Sequence, residues 1–384
     1  MCTSQKNKPK KTSAIPLRTL LFLALLSSAA LAEPLELSRQ LASASAPGIE
    51  LTPEIKSLPT LRKGSNGQAV ARLSQWLDQA GAIVVPPKDP LVFGGEHELA
   101  VKRLQARLGL KEDGVAGPVL YANLGSSSSE RQAGAERWAF RLEELAHQAR
   151  SEGFRRMVVI NIPTFTLRAI DLNSGKTVVH SAVVVGRPDR PTPIGRMNIV
   201  GLKYNPEWTP PEVVLKKDIL PRLGKDAVWF DRHGLVATGP DGVQKNASEI
   251  GAEEFSSQWK IFQPAGKTNA LGRLKFETDS PTNIYLHDTN DHALFANTSR
   301  ARSSGCIRVE RWAELAAFIA DRPRDVIDRK VEQGNTVRER VQKTPVFIEY
   351  SLADIVASGD DLKTVVFPDI YALPASPTAG NANK

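Results

Sequence analysis

The chain has 384 residues, 41% hydrophobic and 24% charged, with a formal net charge of +8. These proportions lie near globular averages and exclude a collagen, a disordered tail protein and a disulfide-stapled miniprotein. The length allows two or three domains of about 150 residues each, and two cysteines, Cys2 and Cys306, cannot build a disulfide framework.

Residues 1–32 read as an export signal. Lys6, Lys8, Lys10, Lys11 and Arg18 precede an apolar run from Leu20 to Leu26, and Ala30-Leu31-Ala32 has the small-x-small form of a cleavage site. The run is short of the roughly 20 residues that a spanning helix needs, so membrane contact is only transient, through the signal; an uncleaved anchor is the alternative. Cleavage after Ala32 lowers the charge from +8 to +3 and leaves Cys306 as the single thiol of an exported chain. Such a thiol is either an inert buried residue or a working nucleophile.

Residues 33–60, with Pro34, Pro47, Pro53 and Pro59, read as a linker. Residues 61–124 form a first compact unit: Val70, Leu73, Trp76 and Leu77 have helical spacing, Leu99, Val101, Leu104 and Leu108 repeat it, and Gly109 with Asp113-Gly114 ends it before a short helix to Leu124. Its words L-R-K-G-S-N-G-Q-A-V-A-R-L and A-V-K-R-L-Q-A-R-L-G-L-K-E-D-G-V-A-G resemble the small all-α peptidoglycan-binding domain of cell-wall enzymes, with a longer, Pro-containing middle.

Residues 125–135, with Ser126 to Ser129 in a row, read as a flexible linker. A helix is expected over Glu136–Arg150, then strands over Met157–Ala169, Thr177–Val185, Asn283–His287 and Pro345–Tyr350, with a helix over Trp312–Ala320. Many strands with few helices predict a β-rich α+β domain over 136–372. Residues 373–384 read as a tail.

Two words carry chemistry. Ile284-Tyr285-Leu286-His287-Asp288-Thr289 delivers His287 at a strand end, and Ser303-Ser304-Gly305-Cys306-Ile307-Arg308 delivers Cys306 from a turn. A thiol attacks as thiolate, and a histidine within reach generates it. The amides of Ser304, Gly305 and Cys306 are candidates for an oxyanion hole. Asp288, Asp291 and His292 lack a metal-ligand spacing, and no phosphate loop or dinucleotide fingerprint occurs.

The second word, R-x-x-S-S-G-C-I-R-V-E after L-H-D-T, resembles the signature of the L,D-transpeptidase catalytic domain, the YkuD domain, in its YcbB-like subfamily. Further words agree: Asn161-Ile162-Pro163, Val184-Val185-Gly186, Pro191-Thr192-Pro193, Asn205-Pro206-Glu207-Trp208 and Asn269 to Phe276. The resemblance implies Cys306 as nucleophile, His287 as proton acceptor and donor, and Asp288 as the backbone carbonyl that orients it. It implies Arg300, Arg308 and Trp208 as substrate contacts, with an ion pair as the alternative for Arg308, and residues 204–268 as a capping insertion, in which Trp229 and Trp259 are expected as core.

The activity so implied is peptidoglycan 3→3 crosslinking in the periplasm through a thioester on stem peptides of the meso-diaminopimelate type, with release of D-alanine and with no cofactor or metal. Carbapenems would acylate the same cysteine. The alternatives are a carboxypeptidase, endopeptidase or lipoprotein-anchoring enzyme of the same family, or a non-catalytic wall-binding scaffold. No basic stripe with aromatics favours a nucleic-acid partner.

Overall fold

A computed structural model describes residue 55 and residues 57–251, 253–256, 258–358 and 361–373. The expected export signal, most of the 33–60 linker and the tail after Leu373 lie outside the described residues. The chain is α+β: a helical N-terminal unit, then a β-rich domain with helices on its surface.

In the N-terminal unit α1 (Gln68–Gln79) buries Val70, Leu73 and Leu77, and α2 (Gly95–Leu108) buries Ala100, Val101 and Leu104. Gly109 ends α2 at φ 71, where a residue with a Cβ is strained, and Pro118 opens α3 (Pro118–Leu124). Ile55 and Leu58 also lie in this core. The linker boundary at residue 60 therefore falls too late, because so small a unit needs every apolar side chain within reach.

The Ser-rich stretch is not a linker along its length. Helix α4 (Ser128–Ser151) begins inside it, since Ser127 Oγ accepts from Glu130 N at 3.2 Å while the Glu130 carboxylate accepts from Ser127 N at 2.8 Å. That reciprocal pair satisfies two of the amides a helix start leaves open. Trp138, Leu142, Leu145 and Ala149 of α4 pack on the outer face of the sheet, against Met157, Val159, Ile170, Leu172 and Phe347.

The strands are β1 (Arg156–Asn161), β2 (Thr166–Asp171), β3 (Thr177–Gly186), β4 (Gly195–Tyr204), β5 (Val236–Thr238), β6 (Gln244–Asn246) and β7 (Lys260–Phe262). They continue with β8 (Leu274–Thr278), β9 (Leu286–His287), β10 (Ala301–Ser303), β11 (Ile307–Val309), β12 (Val337–Glu349), β13 (Ala353–Ser358) and β14 (Asp361–Val366). Eight run in the order β3-β11-β9-β8-β4-β12-β1-β2, and β2 pairs with β3, so the sheet closes on itself. Closure leaves this ring no open edge. Its interior holds Val158, Ile160, Leu202, Leu274, Phe276, Leu286, Ile307 and Val346, joined by Leu315 and Ile319 of α6 (Trp312–Ala320) and by Ile327 and Val331 of α7 (Arg324–Glu332).

Three differences from the expected strands stand out. The 157–169 strand is broken by a turn in which Phe165 N donates to Ile162 O at 3.1 Å, with Phe165 at φ 54. The 283–287 strand shortens to Leu286–His287, and the late strand lengthens to Val337–Glu349. The β13–β14 hairpin, not anticipated, seats the helical unit on the barrel: Asn123 exchanges hydrogen bonds of 2.7 and 2.9 Å with Val366, and Lys363 Nζ donates to Ala106 O at 2.9 Å.

Residues 205–263 leave the barrel between β4 and β8. They carry α5 (Ala227–His233) and the β6-β5-β7 sheet around their own core of Ile219, Leu223, Phe230, Leu235, Ala237 and Ile261. Trp229 and Trp259, expected in that core, are only half buried at its margin, where Trp229 stacks on His233 and faces Arg222.

Candidate active site

Strand alternation builds the site. Ile307 pairs with Leu286 and Arg308 with His287 across parallel β11 and β9, while Lys275 of β8 pairs with His287 from the other side. Leu274, Phe276, Leu286 and Ile307 point into the barrel and are fully buried. The period of two therefore turns Lys275, His287 and Arg308 outward in one row, with Tyr285 and Cys306 one step along on the same face. Cys306 and His287 are thus diagonal neighbours across adjacent strands.

His287 Nδ1 shares a short hydrogen bond with the Asp288 carbonyl, which fixes Nδ1 as the donor and leaves Nε2 as the acceptor. Burial and the charges of Arg308 and Lys275 pull its pKa down to about 3, so the ring is neutral at physiological pH. The Asp288 side chain serves the backbone instead, since its Oδ2 accepts from Arg273 N at 2.8 Å and anchors the turn ahead of β8. Gly272, at φ 62, makes that possible, because a Cβ there would stand 2.6 Å from Thr289 N and closer still to the Asp288 carboxylate. Gly272→Ala is expected to cost about 2–4 kcal/mol, from overpacking plus strain at a positive φ. Urea titration reads this directly, and a variant as stable as the parent would show that the turn can yield.

The cysteine turn is held from two sides. Thr192 Oγ1 donates to Gly305 O at 2.8 Å and accepts from Gly186 N, which gives the Pro-Thr-Pro word its structural purpose. Arg190 donates to Ser304 Oγ at 3.1 Å and to Asp218 Oδ1 at 3.0 Å, joining the turn to the 205–263 region. Of the three amides expected in an oxyanion hole, Gly305 N is engaged: it donates to Ser303 Oγ at 3.1 Å. The amides of Ser304 and Cys306 make no backbone hydrogen bond among the described residues. Gly305 contributes conformation instead, at φ 112.

Arg300 donates to Val183 O at 3.1 Å, Asn297 O at 3.0 Å and Phe165 O at 3.1 Å, and lies over the Phe165 ring. It braces loop to barrel, with three of its donors on carbonyls. Arg308 forms no ion pair among the described residues, and its Nε is buried without a partner. Trp208 is held by paired backbone hydrogen bonds with Gln263, and its side chain favours ionisation of the buried Tyr285 hydroxyl, against the burial that raises its pKa.

Sequence reasoning missed Tyr285 and Lys275. Tyr285 stands opposite the Cys306 turn, its carbonyl accepting from Ile307 N at 3.1 Å; its amide and hydroxyl favour the thiolate, and its ring centre lies 3.8 Å from Lys275 Nζ. The signal for Tyr285 was available, two residues before His287 on the same strand face; that for Lys275 needed the strand pairing. Burial raises the Cys306 pKa, against the Tyr285 donors and the charges of Lys275 and Arg308. Alkylation of the free protein by iodoacetamide should therefore keep accelerating with pH beyond the ordinary thiol range, with no step where histidines titrate. A rate that levels below neutrality would contradict this.

A thiol, a neutral imidazole oriented by a carbonyl and two unengaged amides can together support acyl transfer through a thioester. Comparison with known proteins agrees. Residues 155–348 match the family model described as "L,D-transpeptidase catalytic domain", and residues 66–124 match one described as "Putative peptidoglycan binding domain". The first model covers half of the chain, and the chain belongs to the YkuD L,D-transpeptidase catalytic domain family. A Haemophilus influenzae protein named "Putative L,D-transpeptidase" is 31% identical over 227 residues, 57% of this chain and 44% of that protein. The chain thus matches less than half the length of that relative. L,D-transpeptidase 1 of Mycobacterium tuberculosis is 14% identical over 51% of this chain and 61% of its own, with a TM-score of 0.23. The L,D-transpeptidase of Stackebrandtia nassauensis is 12% identical over 79% and 97%, with a TM-score of 0.25. Likenesses of that size carry no argument about this site.

Proposed function

We propose that the protein is a peptidoglycan L,D-transpeptidase that forms 3→3 crosslinks between stem peptides. The reading rests on one observation above others: His287 and Cys306 share the outward face of two paired strands whose alternate residues, Leu286 and Ile307, fill the barrel. The Cys306 proton passes to His287 Nε2 as sulfur attacks the carbonyl after the third stem residue. The amides of Ser304 and Cys306 receive the oxyanion. His287 returns the proton to the leaving D-alanine nitrogen as the C–N bond breaks. The side-chain amine of a second stem, of the meso-diaminopimelate type, then takes the acyl group and frees the thiol. Residues 204–268 cap the active site, Trp208 meets the bound stem, and the helical unit holds the enzyme to the wall in the periplasm, after loss of the leader at Ala32.

The test is the purified chain with tetrapeptide muropeptides, analysed by mass. Crosslinked dimer from the parent and none from Cys306→Ala supports the reading. Dimer formation by Cys306→Ala refutes it, and exclusive release of tripeptide makes water the acceptor.

A further inference from the structure

Two cations flank the histidine, and neither is paired. Lys275 and Arg308 face His287 from β8 and β11 at the same register level. The acids that bear on them are Glu277, already held by Arg338 at 2.8 Å, and Asp291; neither ion-pairs with its cation among the described residues. Arg308 Nε is buried with no hydrogen-bond partner. Both side chains are partly buried, and partly buried charges are normally paired, because burial penalises a charge with no partner. Two of them, one on each side of the histidine on the outward face of the sheet, mark a place where an anion completes the structure.

The chemistry of the step says which anion. His287 must stand next to the nitrogen that leaves, since it delivers the proton there. In an α-amino acid the carboxylate is two bonds from that nitrogen. The acyl carbon is bonded to that nitrogen directly, but its carbonyl is neutral and has to lie at Cys306, so the carboxylate is the anion of the departing residue within reach of groups on either side of His287.

Building on the function proposed above, we propose that Lys275 and Arg308 form a two-cation subsite, straddling His287, that binds the free α-carboxylate of the donor's C-terminal amino acid. A carboxylate there also cancels the positive field that disfavours protonation of His287, so the base becomes competent when a donor with the right terminus is in place. The other charged or titratable groups around the ring are Asp288, Asp291, His292 and Arg273 on its flanking segments, with Tyr285 and Cys306 on its own face. Lys275 has a second contact, over the Tyr285 ring, so its charge is aimed by the same residue that addresses the thiol.

Binding tests this without requiring turnover. The full chain carrying Cys306→Ala is titrated by calorimetry with a tetrapeptide stem ending in D-alanine and with the same stem ending in D-alaninamide. The acid should bind more tightly by roughly ten- to a hundredfold, the value of a charge-assisted hydrogen-bonded pair. Adding Lys275→Met or Arg308→Met should shrink that preference, with the amide affinity little changed, and Lys275→Arg should restore it. Equal affinity for acid and amide, or a preference that survives both methionine variants, overturns the subsite. Failure of the parent to transfer acyl groups would count against the proposed function alone, because the preference is read on a protein without its thiol.

Discussion

Replacing His287 by alanine should slow acylation of Cys306 by a tetrapeptide stem by roughly 10²–10⁴-fold, the usual contribution of a positioned general acid–base. The fold should survive, because the ring makes one hydrogen bond, to a backbone carbonyl, and sits between two cations. The variant has a second signature. In the folded protein the imidazole is held to about 3, against an ordinary 6.5 once the chain unfolds. Between those values the unfolded chain takes up a proton that the native state refuses, so stability falls as pH drops from about 6.5 toward 3. The alanine variant lacks that component. Denaturant titrations at several pH values should therefore show a shallower acid-side loss for His287→Ala than for the parent. Identical pH dependence, or an unchanged acylation rate read by intact mass, would remove His287 from the role given to it.

Asp354 should be the costliest single loss outside the site. Its carboxylate is 2% exposed and receives Arg168 Nη2 on both oxygens at 2.9 Å, Trp138 Nε1 at 3.1 Å and Ile355 N at 2.8 Å. One side chain thereby ties α4, β2 and the β13–β14 hairpin together, and the hairpin in turn seats the helical unit. Asp354→Ala leaves Arg168 buried without a counter-charge, which costs about 3–5 kcal/mol. Pairing it with Arg168→Met should recover a good part of the loss, because no charge is then left without a partner. Unfolding by urea gives both numbers. A double variant as unstable as the single one would mean that the packing of the hairpin, and not the ion pair, carries the stability.

Much of the architecture was legible because it is local. Helical spacing in 68–79 and 95–108, stop signals at Gly109 and Asp113-Gly114, and the helix after Cys306 all depend on neighbours within a few residues. The start of α4 was equally local and was overlooked: Ser127 and Glu130 form a capping box, hidden in a serine run that reads as linker by composition. The break at Phe165 was less accessible. It has no glycine turn signal, whereas Gly359-Asp360 between the strands of the β13–β14 hairpin is one and was overlooked; both elements are held by contacts made far along the chain, such as Asn123 with Val366.

The same division runs through the site. By itself the sequence determined that a thiol follows a Ser-Ser-Gly turn, that a histidine ends an apolar strand, and that a small helical unit precedes them. Those are properties of short words, and a nucleophile, a base and a tight turn each need only their own residue type. Which side chains share a face with the thiol was decided by the fold. Lys275 reaches His287 through strand pairing, Arg300 is withdrawn to three carbonyls by the loop it braces, and Gly305 gives its amide to Ser303. Pairing of β9 with both β8 and β11 brings the three strands side by side, and register then settles which residues meet water and which meet the core. No window along the chain contains that information, since it resides in hydrogen bonds between strands.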